Sequence, residues 1–298
     1  NYPMEIFDDF GLGIIDECHH ISSQVFSRSL PKIGFKYMLG LSATPTRKDG
    51  LSKVFHWYLG PMIFQIKNRD ETEVNVELVE FRSDNEEYTK EELSFMGKIC
   101  MPKMINNICN YNKRSKLIVE IVKDILKEEG RQILILSDRR AHLTYFYDRI
   151  NKKKIGTVGY YVGGMKQKDR KLSETKQIML GTYTMSSEGL DVKSLNTVIF
   201  ASPKSDITQS IGRILREKTH IVPLTVDIID KSMSVFYRQS LKRKRFYKKN
   251  NYNMIVKRVL DSDTVSSKAL FKQYKENNQT KVNNYVKKNE IPKGVCLL

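Results

Sequence analysis

The chain has 298 residues, enough for two globular domains with their own cores, and its 40% apolar and 10% aromatic content excludes wholesale disorder. The formal charge of +17 is unevenly spread: residues 231–298 hold 17 Lys and Arg against 4 Asp and Glu, which leaves +4 for the first 230. A basic C-terminal stretch of this kind points to a polyanion, most naturally nucleic acid, or to a solvated lysine-rich tail. Four scattered cysteines (Cys18, Cys100, Cys109, Cys296) make a disulfide framework implausible and indicate a reducing compartment. No C-x-x-C pair occurs, and consecutive residues such as Cys18, His19 and His20 cannot all face one ion, so no structural metal is expected. With no apolar run of 18 residues and no signal peptide, the expectation is a soluble intracellular protein with no membrane partner. The chain opens on Asn1 a few residues before a buried strand, as a fragment would.

In chain order, GLGIIDECHH at 11–20 comes first. Ile14 and Ile15 run into Asp16 and Glu17, the way a buried parallel strand delivers acids to the carboxyl edge of an α/β sheet. An aspartate there can hold Mg²⁺ on phosphates and a glutamate can align a hydrolytic water; the plainer alternative is a solvated pair that caps the next helix. A polar segment follows to Pro31, and then YMLGL at 37–41 forms a second strand. It leads into Ser42-Ala43-Thr44-Pro45, a tight hydroxyl-rich turn that either meets the acids or merely starts a helix near 51–58. Residues 67–112 read as one strand plus an acidic, helical connector between lobes.

From 113 a second α/β pattern begins. Leu117, Ile118, Ile121, Ile125 and Leu126 have amphipathic-helix spacing, with Gly130 as the stop. Strands are expected at 133–136, 159–162, 177–182, 197–201 and 223–229, with helices between them, and hence a parallel sheet. As a helix, 206–218 sets Ile207, Ile211, Ile214 and Leu215 on one side and Gln209, Gly212, Arg213 and Arg216 on the other. Two guanidinium forks beside a glycine suit phosphate; a solvated face with Asp206 and Gln209 as a capping box is the alternative. Next come Met233, Phe236, Tyr237 and Leu241 at helical spacing, and then KRKRFYKKNNYN. Here Phe246, Tyr247 and Tyr252 interleave with cations such as Arg243 and Arg245. They either stack bases or pack the segment onto the preceding lobe with its lysines in solvent. Beyond 261, Lys, Asn and Ser suggest a loosely ordered end.

Taken together, Asp16-Glu17-Cys18-His19, Ser42-Ala43-Thr44 and QSIGRILR at 209–216 resemble motifs II, III and VI of the superfamily 2 helicases, DExH type, in order and spacing. Glu188-Gly189-Leu190-Asp191 looks like motif V, and Ile133 to Arg139 like motif IV. LGLSATPTRKDGL followed by WYLGP is similar to the XPB-type branch and its relatives in large DNA viruses, including the transcript-release helicases of poxviruses and asfarviruses.

The resemblance implies an α/β fold of two RecA-like parallel-sheet lobes, the first incomplete; the basic C-terminal extension that follows them is read from charge alone and has no motif support. The boundaries would be 1–66, 67–112, 113–230 and 231–298. It implies ATP between the lobes, Mg²⁺ held by Asp16, the hydrolytic water served by Glu17, and Arg213 and Arg216 as arginine fingers. Gln209, with Gly189 and Asp191, would bind or sense the nucleotide, and His19, Ser42 and Thr44 would couple its state to nucleic acid. Contacts to DNA or RNA are expected at Ser137, Arg139, Arg243, Arg245, Phe246 and Tyr247. The implied function is an ATP-dependent helicase or translocase, with transcription machinery as a candidate partner, in the cytoplasm (viral factory or virion) if viral and in the nucleus otherwise.

One departure weighs against activity in this chain alone. No G-x-x-x-x-G-K-[ST] loop is present: Gly97-Lys98 lacks both the upstream Gly and a following Ser or Thr. In relatives that loop precedes motif II, so these residues by themselves are expected to hydrolyse ATP hardly at all. The competing reading is an ATP-independent nucleic-acid-binding scaffold with a degenerate helicase core.

Overall fold

The computed structural model describes residues 4–28, 31, 34–42, 50–64, 73–188, 190, 192–207, 210–211, 221–262, 264–276 and 280–282. The chain divides into two compact units, 1–70 and 71–298. In the first, the two apolar runs form strands β1 (Leu12–Ile15) and β2 (Tyr37–Gly40), paired in parallel with Ile15 opposite Gly40. The Ser52–Leu59 helix packs behind them. Gly40 is needed at this crossing: a Cβ there would lie 2.5 Å from Leu59 Cδ1 and 3.0 Å from Cys18 Sγ.

The second unit is built on one eight-stranded sheet. Its strands are β3 (Asn75–Ser83), β4 (Ile133–Leu136), β5 (Val158–Tyr161), β6 (Ile178–Gly181), β7 (Thr197–Phe200), β8 (Leu224–Asp230), β9 (Asn253–Asp261) and β10 (Thr280–Val282). They lie in the order β10-β9-β3-β8-β7-β4-β6-β5; β3 to β9 are mutually parallel and only β10 runs antiparallel to its neighbour. Strands β4, β6 and β7 are buried at every residue, as apolar runs covered by helices on both faces must be. Ile133 and Ile135 face one core with the Asn112–Ile125, Arg140–Lys152 and Ser267–Glu276 helices; Leu134 and Leu136 face the other with Val198, Phe200 and Tyr247. Gly130, at φ +78°, ends the turn after the first of these helices.

Two expectations are corrected here. Residues 67–112 do not merely connect lobes, because the strand expected there, β3, lies inside the sheet, between β8 and β9 from Asn75 to Phe81. Nor is 231–298 wholly an appended basic tail: the Ser234–Lys249 helix, β9 and the Ser267–Glu276 helix are parts of the same packed unit. Met254, Val256 and Val259 on β9 and Leu270 and Tyr274 on the last helix are buried, so a few apolar residues at strand and helix spacing outweigh the lysines around them.

Strand β8 carries the main polar constraint. Asp230 points to one face, where Arg114 grips it through Nε (2.6 Å) and Nη2 (3.0 Å) and Tyr88 donates its hydroxyl at 2.7 Å. Asp227 points to the other, where Arg243 grips it through Nε and Nη2 (both 2.8 Å) and Tyr247 donates at 2.9 Å. Burial opposes the charge on each arginine, but the facing aspartate, through its charge and hydrogen bonds, together with the neighbouring tyrosines outweighs it, so both guanidinium groups sit above their ordinary pKa. Removing one partner strands a buried charge. Arg114→Ala is expected to cost about 3–5 kcal/mol in urea unfolding, whereas Arg114→Met with Asp230→Leu should cost clearly less than the single change.

Candidate functional site

Each unit presents a candidate surface at the carboxyl ends of its strands. In the first, β1 ends and the chain turns at Glu17, which adopts a left-handed conformation (φ 48°, ψ 46°). That turn leaves Asp16 exposed, its Oδ1 accepting from the Glu17 amide at 2.9 Å, while Glu17 is half-buried. Left-handed backbone is costly for a glutamate, and such strain is found where a side chain must be aimed. Cys18 N donates to Leu41 O and Leu41 N to Ile15 O, so the turn after β2 is laced to the turn after β1. As a result His19 Nδ1 lies 2.9 Å from Ser42 Oγ and 3.2 Å from Glu17 Oε2. Glu17 Oε2 is buried yet has no hydrogen-bond partner of good geometry. An acid, an imidazole and a hydroxyl are thus chained across two strand ends. Thr44 lies outside the described residues.

In the second unit, strand order reverses around β4, so the rim is formed by the residues after β4, β6 and β7. The Asp138 amide donates to Ser202 Oγ (2.9 Å), Tyr183 OH donates to Ser202 O (2.6 Å), and Lys204 lies over the Tyr183 ring. Arg139 is half-buried and donates to Asn106 Oδ1 and to the carbonyls of Pro102 and Asp138. Ser186, in the helix after β6, lies 3.3 Å from Ser210, Oγ to Oγ. Ile207 and Ile211 are buried in the core, as the expected helix face requires. Gly189, Asp191, Gln209, Arg213 and Arg216 lie outside the described residues.

Three expected nucleic-acid contacts are corrected. Ser137 is wholly buried, hydrogen-bonded to His142 Nδ1 (3.1 Å) and to the Arg139 amide. Arg243 is 2% exposed and Tyr247 fully buried, both spent on Asp227. Phe246 and Tyr252 pack against Tyr247, with ring centroids 6.1 and 6.4 Å apart in the Phe246–Tyr252 and Tyr247–Tyr252 pairs. The aromatics therefore pack this segment onto the sheet; Arg245, Lys248 and Lys249 face solvent. Arg114, Asp227 and Asp230 were not singled out from sequence. Their signal was a charge on an otherwise apolar stripe, Arg114 beside Leu117 and Ile118, and two acids within the strand TVDIID.

With this geometry in view, residues 113–218 match the helicase conserved C-terminal domain family. The chain is 39% identical over 259 residues to "Putative ATP-dependent RNA helicase L396" of Acanthamoeba polyphaga mimivirus, covering 85% of this chain and 50% of that protein. The chain is a homologue of the superfamily 2 helicases of large DNA viruses. It is 26% identical over 277 residues to "Putative ATP-dependent RNA helicase QP509L" of African swine fever virus (84% and 53% covered), and 27% identical over 261 residues to "Putative helicase 161L" of Invertebrate iridescent virus 6 (82% and 56% covered). It spans about half the length of these relatives. Among solved structures its fold is that of T4 UvsW (TM-score 0.50, 23% identity, 87% of this chain and 56% of that one). It is likewise that of S. cerevisiae Dbp5 bound to RNA and ADP BeF3 (TM-score 0.52, 11% identity, 84% and 59%). The parallel α/β sheet expected from sequence is thus the RecA-like sheet of helicase domains. Among the described residues no helix is long and apolar enough to cross a membrane.

One titration follows from the rim. His142 is buried against Phe146, between Ser137 and Ser115, and burial, with Arg114 nearby, lowers its pKa to about 3. The unfolded imidazole binds its proton near pH 6.5, so stability is complete above that value and falls as pH drops toward 3. Between pH 7.5 and 5 this single group is expected to remove on the order of 2 kcal/mol. In urea titrations at the two pH values, His142→Gln should lose less stability on acidification than the native chain.

Proposed function

We propose that this chain is the carboxyl-terminal portion of an ATP-dependent nucleic-acid helicase or translocase. The observation that carries the reading is the relay at the end of β1, in which Glu17 Oε2 and Ser42 Oγ lie 3.2 and 2.9 Å from one nitrogen of His19. Exposed Asp16, at the carboxyl end of a parallel strand, suits a hydrated Mg²⁺ carried by ATP, and that nucleotide would supply the phosphoryl group to be hydrolysed. Glu17 Oε2, without a good hydrogen bond of its own, is the acceptor that would orient the water. His19 and Ser42, with Thr44 beside them in sequence, would report the state of that acid to the turn after β2.

From the second lobe, Arg213 and Arg216 would stabilise developing phosphoryl charge, and Gln209, Gly189 and Asp191 would contact the nucleotide; the motif resemblance supports these roles. For the strand being moved, Arg139 on the rim and solvent-facing Arg245 remain, with half-buried Phe246 beside the latter. The setting we infer is transcription or genome processing of a large DNA virus, in its cytoplasmic factory or virion.

The test is made on the full-length gene product, since the chain spans only about half the length of its relatives. Glu17→Gln is expected to lower nucleic-acid-stimulated ATP turnover about a hundredfold or more while leaving RNA or DNA affinity within about threefold. Ser42→Ala should keep most of the turnover and lose strand displacement. Full turnover in Glu17→Gln would end the assignment. Salt-sensitive nucleic-acid binding indifferent to ATP would select the ATP-independent scaffold instead.

A further inference from the structure

A groove of about 260 Å³ lies among three helices of the second unit. Three helices form it: Asn112–Ile125, Arg140–Lys152 and Ser267–Glu276. Its floor is apolar, made by Val119, Tyr145 and Phe271, and three cations stand on its walls, Lys116, Arg149 and Lys268. The third helix lies beyond the residues that match the helicase domain. It is pinned in place by Lys275 on Asp124 (2.7 Å) and by Tyr274 on Glu77 (2.5 Å). The groove therefore exists only because this chain's C-terminal segment docks on the helicase fold.

The wall cations decide what the groove takes. Lys153 is matched internally by Glu120 at 2.5 Å. Among the described residues no carboxylate is recorded within ion-pair distance of Lys116, Arg149 or Lys268. Lys116 and Arg149 are nonetheless half-buried, and a partly desolvated cation beside an apolar floor gains most from an anion that excludes the remaining water. Arg149 is held over the Tyr145 ring, 5.4 Å from its centroid, which limits the side-chain freedom it would lose on meeting a carboxylate. The floor has room for an aromatic or branched side chain, not for a folded element.

We propose that this groove docks an acidic, unstructured peptide segment of a partner protein, with one apolar side chain on the floor and flanking carboxylates on Lys116, Arg149 and Lys268. Nucleic acid fits less well. Arg149 lies over the Tyr145 ring, so that ring face is not free as the stacking platform that single strands use. The strand-end rim, where the motor reading places the translocated strand, is elsewhere on the unit. This inference does not depend on that reading.

A fluorescein-labelled, glutamate-rich peptide with one central phenylalanine, added to the 298-residue chain and followed by anisotropy, tests it. Saturable binding is expected, weakened at least about tenfold by Lys116→Glu with Lys268→Glu, and about fivefold by serine in place of the peptide's phenylalanine. Lys272→Glu, on the same helix but paired outward with Glu276 at 3.6 Å, should change binding less than about twofold. Peptide-induced protection from hydrogen exchange should appear in the Asn112–Ile125 and Ser267–Glu276 helices of the unaltered chain, a readout that does not depend on any variant folding. The proposal is overturned if no saturable binding or protection occurs, or if Lys272→Glu weakens binding as much as the double change. It is equally overturned if single-stranded RNA protects the same two helices and displaces the peptide as the tighter ligand.

Discussion

The second unit is organised around two carboxylates on one strand. Alternation along β8 sends Asp227 and Asp230 to opposite faces of the sheet, and each is met by a bidentate arginine and a tyrosine hydroxyl delivered by the elements packed on that face. A buried ion pair adds little net stability over a well-packed apolar pair, but a mispaired one is heavily penalised. The effect is registry. Arg114 can meet Asp230 only if the Asn112–Ile125 helix lies at one height on the sheet, and Arg243 likewise fixes the Ser234–Lys249 helix.

That registry reaches the carboxyl rim. Arg114 also donates to Ala201 O at the end of β7, and Arg243 to the carbonyl of Lys204, so the loop that leads to Ser202 and onward to Ile207 is held from both faces. Tyr183 and the Asp138 amide close on Ser202 from the neighbouring strands. The Asp138 end of the segment that resembles motif IV is thereby anchored by groups outside that motif. In the first unit the anchoring is more local: two backbone hydrogen bonds between adjacent turns, one left-handed glutamate and a glycine that lets the strand end approach Cys18.

The C-terminal residues show how composition misleads. Basic and asparagine-rich, they read as a tail, yet β9 needs only Met254, Val256 and Val259 at alternating or near-alternating positions to add a strand beside β3. Once β9 is in place, the last helix has a surface to cover, and its docking creates the amphipathic groove. The charge that marks the region is real, but among the described residues it is divided among buried pairs, outward lysines and the cations that line the groove.

What the amino-acid order determined by itself was local and periodic: the fully apolar strands β4, β6 and β7, the amphipathic helix before β4, the glycine that ends it, and acids delivered at the end of β1. Periodicity of 2.0 or 3.6 residues records which side of an element must avoid water, and that can be read without knowing the neighbours. Motif resemblance added the helicase homology and singled out His19 and Ser42, which the fold brings to within 2.9 Å of each other. Only the tertiary structure decided that β3 is an interior strand, that Ser137, Arg243 and Tyr247 turn inward, and that Arg114 belongs to a strand 116 residues away. A charged or hydroxyl side chain has the same local pattern whether it faces a phosphate, a solvent shell or a buried counter-charge. Which of these it meets depends on partners distant in the chain, and sequence spacing carries no record of them.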